Sequence, residues 1–148
     1  MIRRASADDA PGMAAAHATG FEPSWSAPDI ARFTDAPGGF AFVDVDPSGQ
    51  IVGFILCRAL AGEAEILTIA VHTDHRRRGL GAALVDRALT AALASANAMI
   101  LEVAVDNDAA ISVYKRAGFE TVGRRPGYYV SHGGPPKDAI VMRRALNT

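Results

Sequence analysis

The chain reads as one α/β (α+β) domain built on a single mixed, mostly antiparallel sheet flanked by helices. Three observations predict it. Between residues 40 and 71, apolar runs of strand length alternate with short turn signals. From residue 80 onward, helical and strand periods alternate. The 148 residues carry no internal repeat or linker, and that length suits a single core.

The elements follow in order. Residues 1–4 suit a short first strand. Asp8-Asp9 and then Pro11 mark a helix start, since acids favour the positive end of the helix and proline fits its first turn. The alanine-rich stretch 13–19 carries that helix to Gly20. Residues 21–28, with Phe21, Pro23 and Trp25, read as a loop before a short helix over 29–33, which Gly38-Gly39 break. Strands are expected over 40–45, 51–60 and 64–71. The connections Pro47-Ser48-Gly49 and Ala61-Gly62 are short enough to require antiparallel neighbours. Then the period changes: Leu80, Leu84, Ala88 and Ala92, with Val85 and Leu89 beside them, share one helical face. Residues 99–105 are apolar except for Glu102 and predict a strand buried on both faces. A helix over 108–117 has Ala110, Ile111, Tyr114 and Ala117 on one face, Lys115-Arg116 near its end and Gly118 just beyond. Residues 119–122 and 139–146 suit final strands, and the glycine- and proline-rich stretch 126–137 is expected to be a loop bordering a site.

Composition excludes several functions. A net charge of -1 gives no whole-molecule attraction to nucleic acid or anionic lipid. The arginines bunch at Arg76 to Arg78, Arg124-Arg125 and Arg143-Arg144, however, which leaves room for a local anion site. Cys57 is the only cysteine, so no intrachain disulfide and no cysteine-rich zinc site can form. Its apolar neighbours predict a buried structural thiol rather than a nucleophile. His17, His72, His75 and His132 include no i, i+4 pair flanking a carboxylate, and no metal site is expected. Arg3-Arg4 is followed by no apolar signal region and no membrane span is readable, so the expected location is the cytosol.

One segment has the makings of an anion cradle. Arg76, Arg77, Arg78, Gly79, Leu80, Gly81 and Ala82 lie between a strand and a helix start. Helix N-termini present unpaired N–H groups and partial positive charge, and glycines let a ligand approach the backbone. An exposed basic loop before an ordinary helix cap is the plain alternative. A P-loop is excluded, because Ala82-Ala83 stand where it needs Lys and Ser or Thr. A dinucleotide fingerprint fails too: Leu84 holds its third glycine position, and seven residues separate Val71 from Gly79 where a tight turn is needed.

At these residues the chain resembles a known family. Arg76-x-x-Gly79-x-Gly81-Ala82 is similar to the pyrophosphate-binding motif of the GNAT acetyltransferases, and the order of elements matches that fold. Ile69-Ala70-Val71, Leu101-Glu102-Val103, Asn107 and Tyr114-x-x-x-Gly118-Phe119 resemble the RimI group of bacterial ribosomal-protein alanine N-acetyltransferases. Arg124-Arg125, Tyr128-Tyr129, residues 138–142 and residues 21–26 extend the likeness over nearly the whole chain. Pro126-Gly127 between the arginine and tyrosine pairs is a departure on the expected acceptor side.

The resemblance implies a role for each of these positions. The backbone of Ile69, Ala70 and Val71 would bond the pantetheine arm of acetyl-CoA as an added strand would. Arg76 to Ala82 would hold the pyrophosphate, and Asn107 would contact the pantetheine region. Ile69 and Val71 are equally suited to a core, and Asn107 to a helix cap. Glu102 would be the general base, since an N-terminal ammonium must lose a proton before it attacks a thioester. A salt bridge to an arginine is the structural alternative. The apolar neighbours of Glu102 predict that it is buried. Tyr114 would be the general acid for the departing thiolate, or else a packed aromatic. A free phenol near pKa 10 against a thiol near 8.5 makes complete proton transfer uphill by about 2 kcal/mol. Tyr114 is therefore expected to hydrogen-bond the developing charge, and the N–H of Val71 to serve the carbonyl oxygen.

The implied activity is direct acetyl transfer from acetyl-CoA, without a metal, to a primary amine. The acceptor would be a peptide or protein N-terminus, in particular an alanine of a small-subunit ribosomal protein. A lysine or small amine is the rival acceptor, and a CoA-binding interaction module the rival without chemistry. No direct nucleic-acid or membrane partner is expected.

Overall fold

In the computed structural model, which describes residues 1–21, 24–76, 78–129 and 134–146, the elements appear in the predicted order. Strand β1 (Ile2–Arg4) leads through a 3-10 turn (Ala7–Asp9) into α1 (Ala10–Ala18) and α2 (Ala27–Asp35). The Asp9 carboxylate accepts from the Ser6 amide across the 3-10 turn, and the Ser26 hydroxyl caps α2 by accepting from the Asp29 amide. Strands β2 (Gly39–Val45), β3 (Ile51–Leu60) and β4 (Glu63–Val71) form the antiparallel meander. Then come α3 (Leu80–Ala92), β5 (Ala98–Ala104), α4 (Asp108–Arg116), β6 (Glu120–Tyr129) and β7 (Lys137–Ala145). Among the described residues no helix is long and apolar enough to cross a membrane.

The strands form one sheet in the order β1-β2-β3-β4-β5-β7-β6, in which only β4 and β5 run parallel. Each face buries a cluster. On one face α3 and α4 cover Phe42, Ile55, Cys57, Ile66, Met99, Leu101 and Met142. On the other, α1 and α2 cover Val43, Phe54, Leu56 and Ala70. Side chains of this size contribute about 1.5–3 kcal/mol each when fully buried. The recurrence of Leu84, Val85, Ala88, Leu89 and Ala92 that predicted α3 is the face it buries.

Two expectations need correction. Residues 126–129 belong to β6 and Lys137 opens β7, so much of the expected loop is a hairpin. A proline fits because β6 is the edge of the sheet, where no outer strand needs its missing N–H. Residues 130–133 of that stretch lie outside the described residues. Strand β5 is also not buried on both faces: Met99, Leu101 and Val103 are buried, whereas Ile100, Glu102 and Ala104 are only half-covered. The α1/α2 cluster includes no residue of β5, β6 or β7, which leaves that side of the sheet open.

What positions the site is a departure from regularity at the centre. Strands β4 and β5 pair from Glu63↔Ala98 to Ile66↔Leu101, and pairing then stops. At that point the β3–β4 register jumps from Cys57↔Ile66 to Leu56↔Thr68, leaving Leu67 as an extra residue. A bulge of this kind bends the strand and reverses its alternation. Ala64 and Ile66 face the α3/α4 cluster before it; Ile69 and Val71 do so after it, while Ala70 joins the opposite cluster.

Candidate functional site

The bend at Leu67 frees one side of β4. The His72 amide donates to the Val52 carbonyl at 2.8 Å, which sets the phase of the β3–β4 ladder. In an antiparallel ladder, alternate residues turn their backbone groups to the partner strand. Ala70 therefore faces β3, and the N–H and C=O of Ile69 and Val71 face the gap toward β5. Ile69 and Val71 thus turn to the gap, whereas the backbone groups of Ala70, expected there with them, are taken up by β3.

Beyond Val71 a 3-10 turn (Thr73–His75) leads to the glycine-rich segment. Gly79 caps α3 with φ of 75°, a left-handed conformation that favours glycine. A Cβ built at Gly79 or Gly81 would meet nothing within 4 Å, so the backbone there is open to a ligand. The first helical bond runs from the Ala83 amide to the Gly79 carbonyl at 3.1 Å. The amides of Leu80, Gly81 and Ala82 thus precede the bonded part of the helix and are free to meet an anion. These residues fit a pyrophosphate. Ala82 and Arg78 are exposed, and Arg78 approaches the His75 ring at 3.4 Å. Arg77 lies outside the described residues.

Arg76 points elsewhere. Its Nε donates to the Val71 carbonyl at 3.2 Å, and its Nη2 lies against Gly20, where a Cβ would collide with it. The side chain therefore ties the glycine-rich segment back to the end of β4 and to the end of α1. Asn107 is the N-cap of α4, its Oδ1 accepting from the Ala110 amide at 3.2 Å. That is the cap geometry weighed as its structural alternative.

Glu102 differs from its sequence expectation. It is not buried in an apolar shell, because Ile100, Ala104 and Glu102 lie on the open face of the sheet. Its side chain keeps 27% of its surface, and Oε1 accepts from Arg125 Nη1 at 2.7 Å. The salt bridge and the open face are what the strand's apolar run concealed. Oε2, in contrast, is buried and has no hydrogen-bond partner among the described residues. An unpaired buried oxygen costs about 1–3 kcal/mol, more when it is charged. Arg125 also lies 4.2 Å over the Tyr128 ring, and the Tyr129 hydroxyl donates to the Glu102 carbonyl at 3.1 Å. Arg125, Tyr128 and Tyr129 of β6 are thereby brought to Glu102, around the left-handed Gly127, while Arg124 bonds the Asp138 carboxylate.

Tyr114 is buried on the α3/α4 side, its ring edge-on to Phe119 with centroids 5.8 Å apart. Burial raises its hydroxyl pKa above the usual phenol value, with Cys57 and Tyr129 adding to the effect. Cys57 is fully buried, and burial raises the thiol as well, so it is no nucleophile in this fold. Glu102 and Tyr114 stand on opposite faces of the sheet, next to the opening where β4 leaves β5. Tyr129 is close enough to both to be affected electrostatically by Glu102 and to affect Tyr114.

Two further residues here escaped the sequence. Glu65 lies on β4 in register with Ile100, on the Glu102 side of the sheet; the alternation Glu63-Ala64-Glu65 within a strand was its available signal. His17 is buried in α1, its Nδ1 accepting from the Trp25 amide at 3.2 Å and its Nε2 meeting Thr68 Oγ1 at 3.1 Å. With Nδ1 an acceptor, the ring is neutral and Nε2 carries the hydrogen. Phe21 stacks on it at 4.2 Å, so His17 pins the aromatic loop to β4 just past the bulge. Residues 22 and 23 of that loop are outside the described residues.

Comparison with known proteins supplies the context. The family model for the acetyltransferase (GNAT) family matches residues 10–119. An uncharacterized protein of Mycobacterium leprae is 44% identical over 82 residues, 55% of this chain and 21% of its own length. The N-alpha-acetyltransferase RimI of Mycobacterium tuberculosis is 36% identical over 107 residues, 70% of this chain and 65% of its own length. The chain thus spans less than two thirds of either relative. The crystal structure of the ribosomal-protein-S18-alanine N-acetyltransferase from Escherichia coli superposes with a TM-score of 0.88 at 27% identity, over 100% of this chain and 96% of that one.

Proposed function

Because the chain belongs to the acetyltransferase (GNAT) family, we propose that it transfers the acetyl group of acetyl-CoA to the N-terminal amine of a protein, specifically an N-terminal alanine of a small-subunit ribosomal protein. The observation that carries this is the parting of β4 from β5 beside Glu102, with the bare start of α3 at the far end of the freed edge. The substrate class comes from the relatives: one is named an N-alpha-acetyltransferase, and the structural neighbour is named for the alanine of protein S18.

Each residue then has a task. Acetyl-CoA supplies the activated acetyl group. The backbone groups of Ile69 and the amide of Val71 hold its pantetheine arm, and the free amides at Leu80, Gly81 and Ala82 hold its pyrophosphate, with Arg78 at the rim. Arg76 positions this segment through the Val71 carbonyl. Asn107, whose Oδ1 caps α4, places that helix beside the pantetheine. The acceptor comes from the open face, between the loop pinned by His17 and the Arg125–Tyr128–Tyr129 cluster. Glu102 Oε2, buried and without a hydrogen-bond partner among the described residues, takes the proton from nitrogen. Tyr114, held protonated by burial, stabilises the departing sulfur from the other face.

Steady-state assays with an alanine-start peptide, a lysine side-chain peptide and spermidine test the acceptor. The alanine-start peptide should show the highest kcat/KM, and equal rates on all three would sink the ribosomal assignment. Glu102→Gln and Tyr114→Phe should each lower kcat by about 10²-fold, the lower end for general acid–base groups. If both stay within tenfold while acetyl-CoA still binds, the catalytic assignment is wrong.

A further inference from the structure

The end of α1 meets the connection between β4 and α3 at two points. Thr19, the C-cap of the helix, accepts at Oγ1 from the Thr73 amide at 3.2 Å. One residue on, Gly20 lies under the Arg76 guanidinium, whose Nε donates to the Val71 carbonyl at 3.2 Å. A glycine just past a helix commonly serves a left-handed turn. Gly20 does not adopt that conformation, so its backbone would suit any residue. What it provides is room. A Cβ at Gly20 would collide with Arg76 Nη2, and the three nearest atoms it would meet all belong to that guanidinium. The glycine is fitted to the arginine.

This contact joins the roots of two sites. Arg76 belongs to the connection that ends in the free amides of Leu80, Gly81 and Ala82. Gly20 leads into the loop on the acceptor side, which His17 pins through the Phe21 ring and the Trp25 amide. We propose that Arg76 is a positioning residue that couples the two sites: seated on Gly20, it passes the placement of the cofactor segment to the acceptor loop, so that each substrate binds more tightly when the other is present. The proposal deepens the acetyl-transfer function above and rests on it.

The physical route is short. A pyrophosphate held at the start of α3 fixes the connection from Thr73 to Gly79. The Thr19–Thr73 bond and the Arg76 guanidinium then fix the turn at the end of α1. Phe21 follows at once, its amide bonded to the His17 carbonyl at 3.1 Å, so the first aromatic of the acceptor loop is set by the same turn. Coupling of this kind is reciprocal: the factor by which CoA raises the affinity for peptide must equal the factor by which peptide raises the affinity for CoA.

Free CoA and an alanine-start peptide form a complex that cannot react, so calorimetric titration can measure each ligand alone and with the other saturating. In the wild-type protein each should tighten the other by about fivefold or more. Gly20→Ala keeps the arginine's charge but displaces its guanidinium, and because that is the far end of a flexible side chain the urea midpoint should not fall. In this variant the coupling should drop below about twofold, while kcat with both substrates saturating stays within about threefold of wild type. Arg76→Ala should lose the coupling too, whatever the missing charge does to CoA binding alone. Adding Gly20→Ala to it should change nothing further, since both cut one contact. A wild-type protein in which neither ligand alters the other's affinity, a Gly20→Ala or Arg76→Ala protein that keeps the full factor, or a coupling lost only together with a lowered urea midpoint would each overturn the proposal. A wild-type chain that binds CoA but acetylates no amine would instead remove the function on which it rests.

Discussion

His17 shows how much one side chain can commit. It is neutral, fully enclosed and bonded at both ring nitrogens, and burial holds its pKa at about 4 against an ordinary 6.5. Between those values the unfolded chain binds a proton that the folded chain refuses. Stability should therefore be constant above pH 6.5 and decline as pH falls to 4, by up to about 3 kcal/mol. Urea unfolding across that range measures the slope. His17→Leu should flatten it, and at pH 7 it should cost about 1–3 kcal/mol by stranding the Trp25 amide. Nothing in the sequence around His17 announced this, because its partners, Trp25 and Thr68, come from another loop and another strand. Asn107 is the opposite case: an Asn before Asp108 spells a helix cap locally, and the structure places it so. Glu102 lies between the two. Its apolar neighbours were legible, but its Arg125 partner lies two strands away in the sheet.

Among elements, the start of α3 is where local sequence spoke most clearly. Gly79 adopts φ of 75° with open space around it, so Gly79→Ala brings backbone strain and no clash. A left-handed residue with a Cβ costs about 1–2 kcal/mol. Gly38 has a similar φ of 80°, but there a Cβ would also strike the Ala59 carbonyl oxygen. Gly38→Ala should therefore be the more destabilising of the two, as urea midpoints would show. Gly79→Ala should add a weaker hold on acetyl-CoA that Gly38→Ala lacks. Strand β6 is the element that sequence concealed. Proline and glycine at 126 and 127 read as loop because they deny a strand its partners, and an edge strand has a side that needs none. The carboxylate of Asp138 secures the hairpin, accepting from Arg124 at 2.7 Å and from the Gly127 amide at 2.9 Å. Neither pairing is visible until β6 and β7 are laid side by side.

Across the whole molecule, order and class of elements were readable because each apolar run carries its own period. The bulge at Leu67 was not, since a run of Ile66, Leu67, Ile69, Ala70 and Val71 suits a regular strand as well as a bent one. That one extra residue has a consequence for how the protein breathes. In most sheets the innermost strands surrender their amide hydrogens to solvent last, because every N–H is bonded on one side or the other. Here the Ile69 and Val71 amides, in the middle of seven strands, have no strand opposite them, while their neighbours Thr68 and Ala70 are bonded to β3. Deuterium should therefore enter at 69 and 71 as fast as at a sheet edge, skipping the residues between. Acetyl-CoA should slow it at those two positions first. The middle of the sheet would behave as an outer rim until its substrate arrives to complete it.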